Sequence, residues 1–237
     1  LKVLQLYKDE RHCIAVPNDI ISDAMFVRAV HKYPQKYHID TVEQLVRVFR
    51  ASKWIREKNF GDISSFNFTK TAFHSEVWDD NLVKARGMFI NTKTNRILAR
   101  GFDKFFNIDF DSDEPDEYKP TLEMFEEPFC VTEKEDGFLG ILGQDEGKLL
   151  FCSKSMLGYE GDHSKLFEDM LRPLIKDEET LVKYLQDKNV SILFEVVNTE
   201  KDPHVIKYDK KFVVFLAIVY NEISYRKHYV EANEVSN

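Results

Sequence analysis

Short apolar runs separated by turn residues fill most of the chain after residue 83, and this spacing constrains the fold more than any other feature of the sequence. The runs 83–91 and 96–102 are joined by turn-forming residues at 92–95, which predicts a hairpin. Further strands are predicted at 129–134, 138–142, 148–154, 190–197 and 212–220. Because the strands come in runs and do not alternate singly with helices, the sequence predicts an α+β fold with mainly antiparallel strands.

Helical patterns lie before and between these strands. Residues from about 18 to 58 are predicted to be helical, and Arg47, Arg50 and Lys58 then share the polar face, where they either meet solvent or bind RNA phosphates. The apolar face consists of Val42, Leu45, Val46 and Phe49. Shorter helices are predicted at 120–127, 163–175 and 178–187. We therefore expect an N-terminal helical or mixed subdomain (1–80) packed on a second domain (81–237).

Composition limits the class of partner. A formal net charge of −8 disfavours tight nonspecific binding to nucleic acid, so any nucleic-acid site must be local. Three cysteines without CxxC spacing disfavour a disulfide scaffold or a zinc site. The sequence has no run of eighteen apolar residues, and its first residues are too polar for a secretory signal. These features predict a cytoplasmic protein that does not contact a membrane.

An acidic segment at 109–117 has some of the composition of a calcium loop. It lacks the glycine that such a loop needs at its sixth position, and Pro120 stands where the bidentate glutamate belongs. We predict a solvated loop.

Lys134 is the candidate for covalent chemistry. No GxxxxGK[ST] or GxGxxG motif is present, so a P-loop kinase is excluded. Lys134 lies between a predicted strand and a tight turn that ends in Asp136 and Gly137. An attacking lysine must be neutral, and nearby cations such as Lys104 and Lys154 would favour that form. The alternative is an exposed hairpin turn without catalytic function.

Five segments in one order add context to Lys134. They are Ala85-Arg86-Gly87, Asp103-Lys104-Phe105-Phe106-Asn107, Glu133-Lys134-Glu135-Asp136-Gly137, Ser153-Lys154-Ser155 and Leu193-Phe194-Glu195-Val196-Val197. In sequence and order they resemble the ATP-dependent RNA ligases of the phage T4 RNA ligase 1 type, which are covalent nucleotidyltransferases. The resemblance covers residues from about 83 to 220.

The resemblance implies an antiparallel-sheet nucleotidyltransferase core, ATP-grasp-like, with flanking helices. It implies that Lys134 takes AMP from ATP with Mg²⁺ or Mn²⁺, and that AMP then passes to an RNA 5′-phosphate before a 3′-hydroxyl displaces it. The partners implied are RNA with such ends and an end-healing kinase or phosphatase. Glu195 would bind metal or ribose. The nucleotide-binding residues implied are Arg86, Lys104, Asn107, Glu133, Asp136, Gly137, Lys154 and Glu195.

Each of these residues also has an ordinary structural interpretation. Arg86 could be a surface strand residue and Lys104 a solvated turn residue. Glu195 interrupts the apolar run 192–197, where an unpaired buried carboxylate is costly, so a partner or a ligand is implied. We predict that Arg86, Lys104, Lys134, Lys154 and Glu195 converge on one pocket.

One departure from the family pattern affects the expected activity. No EGYV-like acidic strand and no KxK motif follow Tyr220. These 237 residues alone are therefore expected to bind ATP weakly and to transfer AMP poorly or not at all. A noncatalytic nucleotide- or RNA-binding module and a capping-type guanylyltransferase that uses GTP are the alternatives.

Overall fold

A computed structural model describes residues 39–106 and 133–224, and also the backbone of 227 and 228. Several predictions lie outside these residues: the helix before residue 39, the acidic loop at 109–117, the helix at 120–127, most of the strand at 129–134, and Asn107. Residues 133–137 are described and form a loop that leads into the next strand, so no strand reaches Lys134.

The chain enters the described region through helix α1 (Val42–Ala51). The Thr41 hydroxyl accepts a hydrogen bond from the Gln44 amide at 3.2 Å, and the Gln44 side chain accepts from the Thr41 amide at 3.2 Å. This capping box fixes the start of the helix. The predicted apolar face is confirmed, because it packs on the sheet described next; its fully buried members are Leu45, Val46 and Phe49.

Four antiparallel strands form the first sheet, in the order β1 (Ile55–Phe60), β2 (Ile63–Phe68), β3 (Met88–Asn91) and β4 (Arg96–Arg100). A short helix, α2 (Lys70–His74), follows β2. The predicted hairpin at 83–102 is confirmed with shorter strands, and Asn95 closes its turn at a φ of 54°.

The predicted helix to residue 58 is wrong after Ala51. Residues from Ile55 onward form β1, so Lys58 lies on a strand and not on the helix face of Arg47 and Arg50. The apolar residues of helical spacing end at Phe49. Beyond them, Gly61 at a φ of 80° allows a tight turn through which β1 pairs with β2 along its whole length.

The second sheet has the order β6 (Lys148–Ser153), β5 (Phe138–Asp145), β7 (Val190–Val197), β8 (Phe212–Tyr220), β9 (Lys227–His228), and all its pairs are antiparallel. The predicted strands at 190–197 and 212–220 are confirmed at both ends. Helices α3 (Asp162–Leu171) and α4 (Glu178–Lys188) pack on its outer face through residues such as Phe167 and Leu185. They confirm the two predicted helices, although the first ends in a 3₁₀ turn at Arg172–Leu174.

The two sheets pack face to face. Their shared core contains Phe89 and Ala99 from the first sheet and Ile141, Cys152, Leu193 and Val219 from the second. The result is a four-layer arrangement with α1 outside one sheet and α3 and α4 outside the other, which confirms an α+β fold with antiparallel strands.

Residues 39–80 contribute α1, β1 and β2 to the same core as the residues that follow, because β2 pairs with β3. The division at residue 80 into two domains stays a prediction. Among the described helices, none is long and apolar enough to cross a membrane.

Candidate functional site

Two of the predicted basic residues lie at one end of the first sheet. Arg86 stands two residues before β3, and Lys104 stands four residues after β4. Because Met88 pairs with Arg100, the start of β3 and the end of β4 meet. Arg86 donates from Nη1 to the Phe102 carbonyl oxygen at 3.3 Å. The Lys104 amide donates to a carbonyl oxygen of the loop before β3.

The other predicted residues lie at one end of the second sheet. Lys154 directly follows β6, whose last residue, Ser153, pairs with Gly140 near the start of β5. On the other side of β5, Leu139 pairs with Glu195. Lys134 stands four residues before β5. Strands β5, β6 and β7 therefore place Lys134, Lys154 and Glu195 at the same end of the second sheet.

Two glycines show that these two sheet ends coincide. A Cβ atom on Gly87 would lie 2.7 Å from the Ile141 Cδ1 atom and 3.5 Å from the Lys154 carbonyl oxygen, and Gly87 also has a φ of 68°. A Cβ atom on Gly101 would lie 3.4 Å from the Leu139 Cδ2 atom. The two glycines thus lie against residues of the second sheet, and the left-handed φ of Gly87 is one that residues with a side chain rarely adopt.

An open cavity of about 780 Å³ lies at this end of the molecule. That volume falls within the range of small-molecule sites. Its lining combines four basic side chains, one histidine, one carboxylate and four aromatic rings: Lys70, Arg86, Lys104, Lys154, His74, Glu76, Phe68, Phe73, Trp78 and Phe105. Against a net charge of −8 for the chain, this is a local concentration of positive charge.

Three of the four basic side chains of the cavity lie over aromatic rings. Lys154 Nζ is 4.7 Å from the Phe68 ring centroid, Arg86 Cζ is 5.1 Å from that of Phe105, and Lys104 Nζ is 5.2 Å from that of Trp78. Such contacts hold a cation in place through the ring quadrupole without neutralising it. No carboxylate of the described residues forms an ion pair with Lys154.

Lys154 lines the cavity with a side chain that stays exposed to solvent. Desolvation lowers the pKa of its amine, and the neighbouring Arg86 charge lowers it further. The charged form of Lys154 is therefore disfavoured in the cavity, and a bound anion would stabilise it.

A buried ion pair anchors the segment that carries Lys104. Arg100 Nη2 lies 2.6 Å from Asp103 Oδ1, and the Arg100 side chain is 1% exposed. Arg100 also donates to the carbonyl oxygens of Glu222 and Ile223. Burial raises the pKa of Asp103 although the Arg100 charge opposes that shift. The pair connects the end of β4 to the segment after β8.

The Lys134 loop forms a second group beside the cavity. The Lys134 side chain is exposed, and its Nζ lies 3.4 Å from the Glu135 carbonyl oxygen. The Gly137 amide donates to Glu195 Oε1 at 3.0 Å. Burial raises the pKa of Glu195, opposed by this hydrogen bond and by the Lys134 charge. A Cβ atom on Gly137 would collide with the Val196 carbonyl group, so a glycine is required where the loop meets β7.

Asp136 is held by the segment 202–208. Its amide donates to the Tyr208 hydroxyl at 2.9 Å, and its Oδ2 accepts from the Ile206 amide at 3.1 Å. His204 Nδ1 lies 3.4 Å from Asp136 Oδ1, and His204 Nε2 lies 2.7 Å from Asp202 Oδ2. Burial would raise the pKa of Asp202, but hydrogen bonds from His204 and His163 lower it overall. Asp136 thus fixes the loop conformation next to Lys134.

The predicted site residues therefore form two groups at one end of the fold. Arg86, Lys104 and Lys154 line the cavity, whereas Lys134 and Glu195 lie in the neighbouring loop group. Glu133 is exposed at the start of that loop, and Asp136 and Gly137 complete it. Asn107 lies outside the described residues.

Glu195 could hold a metal ion together with substrate phosphates, but not in a site made of protein ligands alone. Within 39–106 and 133–224, no group of three or more His, Cys, Asp or Glu side chains could hold a metal ion. Mg²⁺ is commonly held by one or two carboxylates together with substrate phosphates. Glu195, half-buried beside Lys134, meets that requirement.

Comparison with known proteins assigns the family. Residues 84–237 match the RNA ligase family of the T4 RNA ligase 1 type. The chain belongs to this family. It is 28% identical over 173 residues to the tRNA ligase of Candida albicans (strain SC5314), a match that covers 61% of the chain and 20% of that protein. It is 29% identical over 138 residues to tRNA ligase 1 of Schizosaccharomyces pombe, covering 52% and 17%. The chain thus spans about a fifth of the length of these curated relatives or less.

Three of the four aromatic residues of the cavity were missed by sequence reasoning. We call Phe68, Phe73 and Trp78 the aromatic wall; all three precede the segment that matches the RNA ligase family. Their signal was present in the stretch 66–78, which contains three Phe, one Trp, one Lys and one His. A search for aromatic residues interleaved with basic ones would have found them.

Proposed function

We propose that the chain is the adenylyltransferase part of an ATP-dependent RNA ligase with a nucleotidyltransferase core, and that Lys134 is its nucleophile. The observation that carries the proposal is the meeting of the Lys134 loop and the basic cavity at one end of two packed sheets. Membership of the RNA ligase family supports the choice of reaction.

In the first step the neutral amine of Lys134 attacks the α-phosphorus of ATP. An N–P bond forms, the bond from the α-phosphorus to the bridging oxygen breaks, pyrophosphate leaves, and the amine loses a proton. The exposed position of Lys134 in the loop 133–137 lets a bound nucleotide reach it. Arg86, Lys104 and Lys154 supply positive charge to the phosphate oxygens, where negative charge must be stabilised during transfer.

In the second step a 5′-phosphate oxygen of RNA takes AMP from Lys134, and the N–P bond breaks. In the third step a 3′-hydroxyl attacks that 5′-phosphate and releases AMP. Both steps bring an RNA phosphate to the end of the fold where the cavity cations lie. The tRNA ligases to which the chain is similar suggest a tRNA as the RNA, and an end-healing kinase or phosphatase stays a prediction.

A divalent metal ion would be held by Glu195 and by phosphate oxygens of ATP. Bound there, it would neutralise charge on the transferring phosphate. The protein's own contribution is to place the Glu195 carboxylate, through the Gly137 hydrogen bond, at the base of the Lys134 loop.

The test is transfer of label from α-³²P-ATP to the protein in the presence of Mg²⁺ or Mn²⁺. We expect acid-stable label on the wild type and on Lys148→Arg, and none on Lys134→Arg. From these 237 residues alone the label should be weak, and a longer natural chain that carries the EGYV-like and KxK motifs should raise it. Lys148 is a matched control because it is exposed at the opposite end of β6. Faster labelling by α-³²P-GTP would indicate a capping-type guanylyltransferase. Absence of label with both nucleotides would indicate a noncatalytic binding module.

A further inference from the structure

We propose that the aromatic wall, with Lys70 and Lys104 beside it, is a binding site for unpaired bases of a single-stranded RNA end. The inference rests on the proposed function for its choice of RNA as the ligand. It adds a subsite built by residues that precede the family segment, which begins at residue 84.

The rings of the wall are arranged to receive further rings. Phe68 and Phe73 are nearly parallel, at 13° with centroids 6.4 Å apart, and Trp78 meets Phe68 edge-on at 5.1 Å. Phe73 is 50% exposed in the cavity, although a side chain of this size usually buries its ring. Lys104 Nζ lies over the Phe73 ring at 6.0 Å from its centroid, so the exposed part of the ring stands beside a cation. That exposed part is available to a base, which every nucleotide offers as a flat π surface.

The charge around the wall suits a polyanion. The cavity lining contains four Lys or Arg side chains (Lys70, Arg86, Lys104 and Lys154) against one carboxylate, Glu76. Lys104 Nζ lies 3.6 Å from the Phe106 ring centroid and 5.2 Å from that of Trp78, so a cation stands at the edge of the wall. Aromatic rings interleaved with cations are the usual surface for single strands, since the cations follow the backbone while the rings stack on bases.

RNA suits the wall better than the adenine of ATP. The AMP group becomes attached to Lys134, which is not among the residues that line the cavity, whereas all three rings of the wall line it and Lys154 lies over one of them. Lys134 interacts instead with Glu195 in the loop group. The wall is therefore left for the second substrate of the proposed reaction, which is RNA. Base-paired RNA would not fit this role, because its bases stack on each other.

The test compares Phe73→Ala with wild type in binding a short 5′-phosphorylated single-stranded RNA, measured by fluorescence anisotropy. An RNA of the same length with abasic positions is the second probe, because it keeps the phosphates and removes the bases. Tyr159→Ala is the matched control, because Tyr159 is also an exposed aromatic residue beside a lysine but does not line the cavity. It is 68% exposed, and Lys165 Nζ lies over its ring. AMP labelling of Lys134 is measured on the same variants.

We expect Phe73→Ala to weaken binding of the normal RNA about 5-fold or more, the lower end of base stacking on aromatic rings. Phe73→Tyr should restore binding, the abasic RNA should bind all variants equally, and AMP labelling should not change.

Unchanged affinity for the normal RNA, or an equal loss for the abasic RNA, would overturn the inference. A raised KM for ATP with intact RNA binding would overturn it as well, by assigning the wall to adenine. Missing AMP label together with Phe73-dependent RNA binding would reject the proposed function alone.

Discussion

The basic cavity and the Lys134 loop stand side by side but are stabilised in different ways. The cavity holds its cations over aromatic rings, as with Lys154 over Phe68, and desolvation lowers the pKa of that amine. The loop instead holds its groups by hydrogen bonds, and desolvation raises the pKa of Glu195. In both regions burial disfavours the charged form.

This comparison assigns different tasks to the two regions. Charge in the cavity is not neutralised by the aromatic rings that hold it, which suits binding of phosphates. The loop is held by contacts from β7 and from the segment 202–208, which suits the positioning of one reacting amine. The following changes should affect one region and spare the other.

The largest expected effect is on the cavity side. Asp103→Ala removes the carboxylate from the buried Arg100 guanidinium, and we expect the free energy of unfolding to fall by about 3 kcal/mol. Urea unfolding measures this. Glu57→Ala is the control, because the Arg50–Glu57 pair is exposed and should contribute less than about 1 kcal/mol. Equal effects of the two changes would mean that the buried pair does not anchor the Lys104 segment.

A loss of AMP transfer is expected on the loop side. Glu195→Gln keeps an oxygen that can accept from the Gly137 amide but removes the charge. We expect AMP transfer to fall about 100-fold while the melting temperature changes little. Glu200→Gln, at an exposed position, should have no effect on either. Full activity of Glu195→Gln would show that the carboxylate only positions the loop and binds no metal.

Gly137→Ala tests the contact between the loop and β7. The added Cβ atom would collide with the Val196 carbonyl group, so we expect a loss of about 2 kcal/mol in stability, seen in urea unfolding. Gly147→Ala is the comparison: a Cβ atom there meets nothing within 4 Å, and only its left-handed φ of 77° opposes the change, at about 1 kcal/mol. The loop contact is less tight than described if Gly147→Ala proves the more destabilising of the two.

The smallest effect concerns pH. The pKa of Lys154 is lowered in the folded protein, so the unfolded chain binds more protons between that value and about 10.4, and stability should rise with pH in this window. Burial also lowers the pKa of Lys84, which adds to the rise, so Lys154→Met should reduce the rise without abolishing it. Arg86→Gln should reduce it because the Arg86 charge contributes to the shift, whereas Arg86→Lys should keep it. Urea unfolding across this pH range measures the rise, and a rise that is unchanged in Lys154→Met would assign it to another group.

Much of the fold could be predicted from local patterns. The strands 190–197 and 212–220 are continuous apolar runs that end at turn residues, so their bounds could be predicted. The helix–strand error at 55–58 has a long-range cause: β1 forms because β2 lies beside it, and pairing of that kind leaves little trace in the sequence of one strand.

The residues of the site could be predicted from the sequence, but their division between the cavity and the Lys134 loop could not. Arg86, Lys104 and Lys154 are near one another because two sheets meet at Gly87 and Gly101, a contact between residues far apart in the sequence. The aromatic wall belongs to residues that the family pattern does not include, so the resemblance could not indicate it.

The central claim is that the loop presents Lys134 as the nucleophile while the cavity holds phosphates. The most direct measurement is peptide mapping by tandem mass spectrometry of the protein after reaction with ATP and Mg²⁺. We predict AMP on Lys134 in the wild type, and no AMP on any lysine in Lys134→Arg. AMP attached to Lys104 or Lys154 of the cavity, or an unmodified Lys134 in a protein that still joins RNA ends, would contradict the account.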